Sequence, residues 1–126
     1  MRHIGTALDI AASGERVWSL LTEFEHWPSW GISIRRVESA AARVATGVEG
    51  RVQTVAGLWL PFTIGDVTPG HFWAWEVAGI GATGHRVTPL ADAECRAEFT
   101  APWPAAPYLA VLRISLHRLK SLAEAT

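Results

Sequence analysis

The chain has 126 residues, enough for one ordinary domain with a single hydrophobic core. Its content of 49% hydrophobic and 18% charged residues excludes a disordered chain. The net charge of −1 argues against a general nucleic-acid binder and against a protein that binds membranes through a polybasic segment.

The N-terminal part predicts a strand followed by two short helices. Alternating apolar residues over 3–10 indicate a strand. Ser13 suits the N-cap of a helix near 14–22, in which apolar residues follow at helical spacing. The segment 22–31 predicts a second short helix, which Pro28 and Gly31 would end.

The middle of the chain changes to a period of two residues, which is typical of strands. The predicted strands cover 32–38, 47–55, 58–66, 71–77, 83–90 and 94–101. Apart from the loop 39–46, the links between them are short. Short links join antiparallel neighbours, so these strands are expected to form a meander.

The C-terminal segment predicts one long helix. Leucines from Leu109 to Leu122 recur at three and four residues and form an apolar stripe. Pro104 and Pro107 suit its first turn, where a missing N–H costs little. The other face carries charged residues such as Arg113 and is expected to be solvated.

The turns between the strands fix which side chains lie opposite one another. Turns near 68, 80 and 92 predict the opposed pairs Ile64–Trp73, Phe62–Trp75, Trp75–His85, Trp73–Val87, His85–Phe99 and Val87–Ala97. These pairs build one continuous apolar face, and the long helix is expected to cover it. Glu76 and Arg86 are expected to form a weak surface pair on the opposite, polar face.

The predicted fold class is therefore α+β. We expect a seven-stranded antiparallel sheet curled around a long C-terminal helix, with two short helices after the first strand. The whole chain, 1–126, is read as one domain, since no linker or internal repeat divides it.

Several kinds of site and location are disfavoured by the sequence. Cys95 is the single cysteine, so no intramolecular disulfide can form and a reducing compartment is expected. The five histidines lack zinc-ligand spacing, and no phosphate-binding glycine loop or nucleophile elbow is present, so we expect no metal and no cofactor. No apolar run reaches the roughly 20 residues that span a bilayer, and the start lacks a secretory signal, so we expect a cytoplasmic protein.

The sequence resembles the START-like (SRPBCC) superfamily, which includes polyketide cyclases/dehydrases and lipid-transfer proteins. The residues that carry the resemblance are Ile10-Ala11-Ala12, Glu15, Val17-Trp18, Leu20-Leu21, the Trp27-Pro28-x-Trp30 segment, Gly47-x-x-Gly50 and Gly84-His85-Arg86-Val87. It covers nearly the whole chain, with loops shorter than is usual in the family. It implies a helix-grip fold with a deep apolar cavity between sheet and helix. Members bind or transfer lipids, sterols, plant hormones or aromatic polyketides, and some catalyse cyclisation and dehydration, so the fold does not settle the function.

The seven tryptophans suit either an aromatic core or a lined cavity. We predict that a cavity binds a hydrophobic or aromatic small molecule. The predicted ligand-binding residues are Trp30, Phe62, Trp73, Trp75, His85, Val87, Phe99, Leu112 and Leu116. Trp73 and Trp75 would form a flat wall against which a ligand ring stacks, the alternative being plain core beneath the helix. Trp18 is expected to be a buried helix anchor, and Trp27 and Trp30 either gate the cavity mouth or pack as core.

The candidate catalytic residues are His85, Arg51 and Tyr108. His85 lies on the apolar face and can act as a general acid or base, or be a core histidine bonded to its surroundings. The orientation of the Arg51 side chain depends on the turn before Leu58. A two-residue turn would point Arg51 inward, where it could polarise a ligand carbonyl, whereas a three-residue turn with Gly57 left-handed points it outward. The second turn is locally better, because Ala56 resists a positive φ.

The sequence is compatible with three functions. The first is a module that binds a hydrophobic small molecule. The second is a polyketide cyclase/dehydrase-type enzyme that uses His85, Arg51 and Tyr108, and the third is an interaction module whose cavity has collapsed. The expected partner is a hydrophobic small molecule rather than a nucleic acid, and a homodimer is left open.

Overall fold

The N-terminal elements form as their residue patterns predict, with one change at the second helix. The computed structural model describes residues 3–125. β1 spans His3–Ile10 and α1 spans Gly14–Thr22, with the Ser13 side chain capping α1 by accepting the Arg16 N–H at 3.2 Å. The second helix is split into a turn of 3-10 helix, Phe24–His26, and α2, Trp27–Trp30. Pro28 does not end this segment as predicted, because it lies in the first turn of α2, where its missing N–H costs nothing.

Six further strands follow, and all seven form one antiparallel sheet. Their bounds are β2 Ile34–Ser39, β3 Glu49–Thr54, β4 Trp59–Thr68, β5 Phe72–Val77, β6 Ile80–Ala91 and β7 Glu94–Pro102. The strand order is β1-β7-β6-β5-β4-β3-β2, so β2 to β7 form a meander and β1 pairs with β7. The predicted fold class is confirmed.

The predicted strand register is confirmed for β6 and β7, where His85 lies opposite Phe99 and Val87 opposite Ala97. It is wrong for β4 and β5, where Ile64 lies opposite Trp75 instead of Trp73. β4 continues to Thr68, which moves the turn along the chain, and a register irregularity between Ile64 and Val67 follows. Without that irregularity Ile64 would lie opposite Glu76, so the bulge keeps apolar residues on one face.

The register of β5 and β6 is also corrected. Trp73 lies opposite His85, because the chain reverses at Ala78 and Gly79 rather than near Ile80. A second irregularity, between Ala74 and Glu76, again keeps the apolar side chains on one face.

The expected Glu76–Arg86 pair is wrong for the same reason. Glu76 lies opposite Gly81, and the Arg86 guanidinium carbon lies 4.8 Å from the centre of the Phe72 ring.

α3, Leu109–Glu124, is the long C-terminal helix. The prolines predicted for its first turn lie instead in a separate 3-10 segment, Trp103–Tyr108, which Ala105 interrupts with non-helical angles. The buried face of α3 packs mainly against β1, β7 and α2. Its buried residues are Leu112, Ser115, Leu116, Leu119 and Ala123. No helix in the described part of the chain has the length and apolar character needed to cross a membrane.

The polar face of α3 is not only solvated but also forms hydrogen bonds to β1. Arg113 Nη1 donates to Thr6 Oγ1 at 2.7 Å, and Lys120 Nζ donates to the Asp9 carbonyl at 2.9 Å. At the end of the helix, Arg16 donates to the carbonyls of Leu122, Ala123 and Ala125 at 3.1, 2.7 and 3.0 Å. These bonds fix the C-terminal end of α3 to α1 and the whole helix to the edge strand β1.

Candidate functional site

A cavity of about 890 Å³ opens between the sheet and the N-terminal half of α3. Leu112 and Ser115 of α3 line it, whereas Leu116 and Leu119, further along the helix, are fully buried. The predicted ligand-binding residues that line the cavity are Trp30, Trp73, Trp75, His85, Phe99 and Leu112. The helix therefore covers only part of the apolar face of the sheet, and a portion of the remainder borders the cavity.

Three of the predicted ligand-binding residues do not line the cavity. The Phe62 ring packs among Phe24, Trp27 and Trp75, with ring centres 5.5–5.7 Å apart. Val87 is buried at the end of the sheet against which α1 packs, and Leu116 is fully buried. The expectation that Phe62, Val87 and Leu116 face the cavity is wrong, because other side chains or helices cover them.

The aromatic wall of the cavity is a stack of three rings. The Trp73 ring is stacked between the rings of Trp27 and His85. Its centre lies 5.2 Å from that of Trp27, with an interplanar angle of 3°, and 3.9 Å from that of His85, with an interplanar angle of 18°. Trp75 stands at 75° to Trp27, with ring centres 5.1 Å apart. Both faces of Trp73 are therefore covered by the protein, so the predicted stacking of a ligand ring on Trp73 would require the stack to open.

His85 is buried, with 3% of its surface exposed, and its hydrogen bonds define its tautomer. Nδ1 lies 3.3 Å from the Trp73 carbonyl, which only accepts, so we assign the proton to Nδ1. Nε2 then accepts from the Thr83 hydroxyl at 3.2 Å, and that hydroxyl oxygen accepts from Trp75 Nε1 at 2.9 Å. Burial lowers the pKa of His85 to about 3, partly opposed by its bond to the Trp73 carbonyl. His85 is neutral at pH 7, and its basic nitrogen is already occupied.

Arg51 points away from the cavity, which confirms the favoured turn before Leu58. Val52 lies opposite Leu60 and is buried, and Gly57 has a φ of +90°. The Arg51 guanidinium pairs with Glu38 at 2.6 Å and lies 4.3 Å from the centre of the Trp59 ring. The inward alternative, in which Arg51 would polarise a ligand carbonyl, is wrong.

Tyr108 borders the cavity from the 3-10 segment before α3. Its hydroxyl lies 2.6 Å from Ser33 Oγ, and both residues line the cavity. Tyr108 is 38% exposed, so this hydrogen bond joins two segments at the edge of the cavity. Of the candidate catalytic residues, only His85 and Tyr108 reach the cavity, and each already has a hydrogen-bond partner.

Trp27 and Trp30 are core residues that also line the cavity. Their indole N–H groups donate to the carbonyls of Leu21 and Leu20, at 2.9 and 2.8 Å. These carbonyls lie in the last turn of α1, where helical partners are missing. Trp18, the predicted buried anchor, is only partly buried.

Several polar residues of the lining were not predicted from the sequence, and Thr83 and Ser115 are two of them. A signal for Ser115 was present, because it lies between Leu112 and Leu119 on the apolar stripe of the last helix. Thr83 could not be assigned without the corrected register of β5 and β6.

A family model described as polyketide cyclase / dehydrase and lipid transport matches residues 1–124. The chain belongs to this family. Membership confirms the START-like resemblance of the sequence. A search of curated proteins finds no match.

Solved structures agree with the fold of this family. A START superfamily protein from Mycobacterium smegmatis is 16% identical with a TM-score of 0.74, and the match covers 97% of each chain. The Zhui aromatase/cyclase from Streptomyces sp. R1128 is 17% identical with a TM-score of 0.73, covering 98% of this chain and 93% of that one. The Aha1 dimer from Colwellia psychrerythraea is 18% identical with a TM-score of 0.74, and the match covers 98% of this chain and 97% of that one. At these identities the likeness extends to the fold alone.

Proposed function

We propose that the protein binds a hydrophobic or aromatic small molecule in the cavity between the sheet and α3. The observation that carries this proposal is the cavity of about 890 Å³, lined mainly by apolar and aromatic side chains. Ligand sites are typically concave, mostly apolar and roughly 300–1,000 Å³ in volume. Membership in a family of polyketide cyclases and lipid-transport proteins supports the same class of ligand.

The cavity also argues against the alternative of an interaction module with a collapsed interior. Protein cores usually leave few voids larger than a water molecule. Here the stack of Trp27, Trp73 and His85 fills one side, and the space beside it stays open.

Acid/base catalysis receives less support from the geometry. Arg51 lies outside the cavity, and the Nε2 lone pair of His85 is engaged by Thr83. A general base must reach the proton that it removes and must have a pKa suited to the task. His85, with a pKa near 3, is a poor base at neutral pH.

Ligand binding is tested by titrating the protein with N-phenylnaphthylamine, an uncharged probe whose emission rises in apolar surroundings. We expect saturable binding to the wild type. Ala105→Trp, which adds a large side chain at a cavity-lining position, should weaken probe binding, since the added indole takes up part of the space that the probe would occupy.

Ala106→Trp supplies the matched control, because Ala106 is the next residue, is exposed and does not line the cavity. This variant should bind the probe as the wild type does. Absence of saturable binding to the wild type, or equal binding by the Ala105→Trp variant, would contradict the proposal.

Dimerisation and a cytoplasmic location are two further proposals. One solved neighbour is described as a dimer, and a homodimer of this chain would be detected by light scattering coupled to size-exclusion chromatography. A cytoplasmic location would be tested by fractionation of the source cells.

A further inference from the structure

The mouth of the cavity is bordered by the 3-10 segment Trp103–Tyr108, which precedes α3. Most residues of the lining are buried or partly buried, so the exposed ones mark where the cavity meets solvent. These exposed lining residues are His3, Ile80, Gly81, Pro104 and Tyr108. Two of the five belong to the 103–108 segment, so a movement of this segment would change the width of the mouth.

The 103–108 segment is weakly attached to the rest of the protein. It contains no buried residue, and Ala105 interrupts it with non-helical angles. Pro104 and Pro107 have no N–H to donate. Within residues 3–125, no backbone hydrogen bond joins the segment to any strand. Segments with few buried side chains and few backbone hydrogen bonds open at a low cost in free energy.

The other walls of the cavity are held more firmly. Strands β3 to β6 each pair with a neighbour on both sides. The tip of the β5–β6 hairpin is tied to β4, because the Ala78 N–H donates to the Pro61 carbonyl at 2.8 Å. Trp27 and Trp30 fix α2, since both are buried and both donate hydrogen bonds to α1. The 103–108 segment is therefore the part of the wall that can move with the smallest loss of interactions.

One side-chain hydrogen bond ties this segment to the opposite edge of the cavity. The Tyr108 hydroxyl lies 2.6 Å from Ser33 Oγ, and no other side-chain hydrogen bond of the segment is found in the described part of the chain. Ser33 itself belongs to a fixed loop, because its carbonyl accepts the Val55 N–H at 3.2 Å. The next N–H before it, that of Ile32, donates to Ser115 Oγ at 3.1 Å. Tyr108 is thus the movable partner of this bond.

We propose that the 103–108 segment is the gate of the cavity and that the hydrogen bond between Tyr108 and Ser33 holds it closed. The inference rests on the proposed function and adds how ligand exchange at that site is controlled. Because the bond lies at the edge of the cavity, it holds the gate in the empty and in the occupied protein alike. Its loss should raise the open population of both forms by the same factor, so ligand enters and leaves faster while the affinity stays the same.

The test is stopped-flow fluorescence with N-phenylnaphthylamine on the wild type, Tyr108→Phe and Ser33→Ala. In each variant we expect the association and dissociation rate constants to rise together, by about threefold to fivefold, as the loss of one net hydrogen bond allows. The dissociation constant should stay within about twofold of the wild type. The double variant should be no faster than either single variant, since the two substitutions remove the same bond.

Ser39→Ala is the matched control. The Ser39 hydroxyl donates to the Glu49 carbonyl at 2.7 Å, and neither residue lines the cavity. This variant also loses one hydroxyl hydrogen bond, but away from the mouth, so its rate constants should equal those of the wild type.

A further variant examines another entry route, beneath the β3–β4 hairpin. Thr54 lines the cavity, and its hydroxyl accepts the Leu58 N–H at 3.2 Å near the tip of that hairpin. Faster exchange in Thr54→Val, with unchanged exchange in Tyr108→Phe, would place the gate at the hairpin and overturn the proposal.

The gate and the proposed function fail in different ways. Absence of saturable probe binding to the wild type at equilibrium would contradict the proposed function itself. Saturable binding with wild-type rate constants in both Tyr108→Phe and Ser33→Ala would leave binding intact and overturn the gate. A change in the dissociation rate alone, with a matching change in affinity, would show that these side chains contact the ligand instead. Each of the two variants removes the same bond, so either one decides the question if the other does not fold.

Discussion

At the scale of single residues, His85 is held by a directional chain of hydrogen bonds. The chain runs from Trp75 Nε1 through the Thr83 hydroxyl to His85 Nε2, and from His85 Nδ1 to the Trp73 carbonyl. Each group in it donates or accepts in the neutral state of the histidine. A proton added at Nε2 would displace the Thr83 donor and place a charge in the apolar interior, which is why burial lowers the pKa.

This gives His85 a defined effect on stability against pH. Its pKa falls from an ordinary 6.5 to about 3 on folding, so between these values the unfolded chain binds a proton here and the folded protein does not. The free energy of unfolding should therefore decline as pH falls below 6.5, with no contribution from His85 above that pH. Between pH 7 and about pH 4.5 the loss from this residue should be about 2–3 kcal/mol.

The measurement is urea unfolding of the wild type and His85→Gln across that pH range. Because the variant lacks the ionisable group, the stability difference between the two proteins should shrink by about 2–3 kcal/mol as the pH falls. His117→Gln, at an exposed position on α3, is the control that leaves the buried site intact. A stability difference that is constant with pH would show that His85 does not change its protonation on unfolding.

At the scale of elements, the hairpin of β5 and β6 turns at an unfavourable residue. Ala78 has a φ of +53°, the only positive value among the non-glycine residues described, and Gly79 follows at +78°. Positive φ at both central positions is the pattern of a type I′ two-residue hairpin turn, which Asn-Gly fits best. An alanine in the left-handed region costs roughly 1–2 kcal/mol.

Ala78→Asn should stabilise the protein by about 1 kcal/mol, because asparagine tolerates the left-handed conformation. Thermal or urea unfolding gives the change directly. Ala56→Asn is the matched control, since Ala56 lies exposed in the turn between β3 and β4 without a positive φ, and its effect should stay within about 0.5 kcal/mol. If both substitutions had the same effect, strain at Ala78 would not be the cause.

The same hairpins show what the sequence could predict about the elements. The period-two pattern was enough to place every strand and the apolar face, because a bulge keeps that face apolar even when the turn moves. The exact partners of Trp73 were not predictable, since they depend on where β4 ends and on a turn that uses alanine in a left-handed conformation. The orientation of Arg51 was predictable, because Gly57 supplies the positive φ that the three-residue turn needs.

At the scale of the whole molecule, the two ends of α3 have different surroundings. Its C-terminal end is fixed by Arg16, which donates hydrogen bonds to the carbonyls of Leu122, Ala123 and Ala125. Its N-terminal half borders the cavity through Leu112 and Ser115. The sequence indicated one apolar stripe along the helix, but not which half would leave a void, because that depends on how the large side chains of Trp27, Trp30 and Trp73 fill the space between the layers.

We therefore expect stability and ligand binding to separate along α3. Arg16→Ala should lower the free energy of unfolding by about 1–2 kcal/mol, since the last carbonyls of the helix lose a charged donor. The affinity for N-phenylnaphthylamine should stay within about twofold of the wild type. Arg118→Ala, at an exposed position of α3 without a hydrogen bond among those described, should change neither quantity. Weaker probe binding by the Arg16 variant at unchanged stability would contradict this separation.

The strand order also has a consequence for how the chain folds. The strands from β2 to β7 pair with their neighbours along the sequence, whereas β1 pairs with β7, so that Ile10 lies opposite Cys95 and His3 opposite Pro102. The meander can form hairpin by hairpin with short loop closures, but pairing β1 requires the closure of nearly the whole chain. The cavity is completed only when α3 also docks beside β1. The capacity to hold a ligand should therefore arise in the last stage of folding, after the sheet that forms its wall.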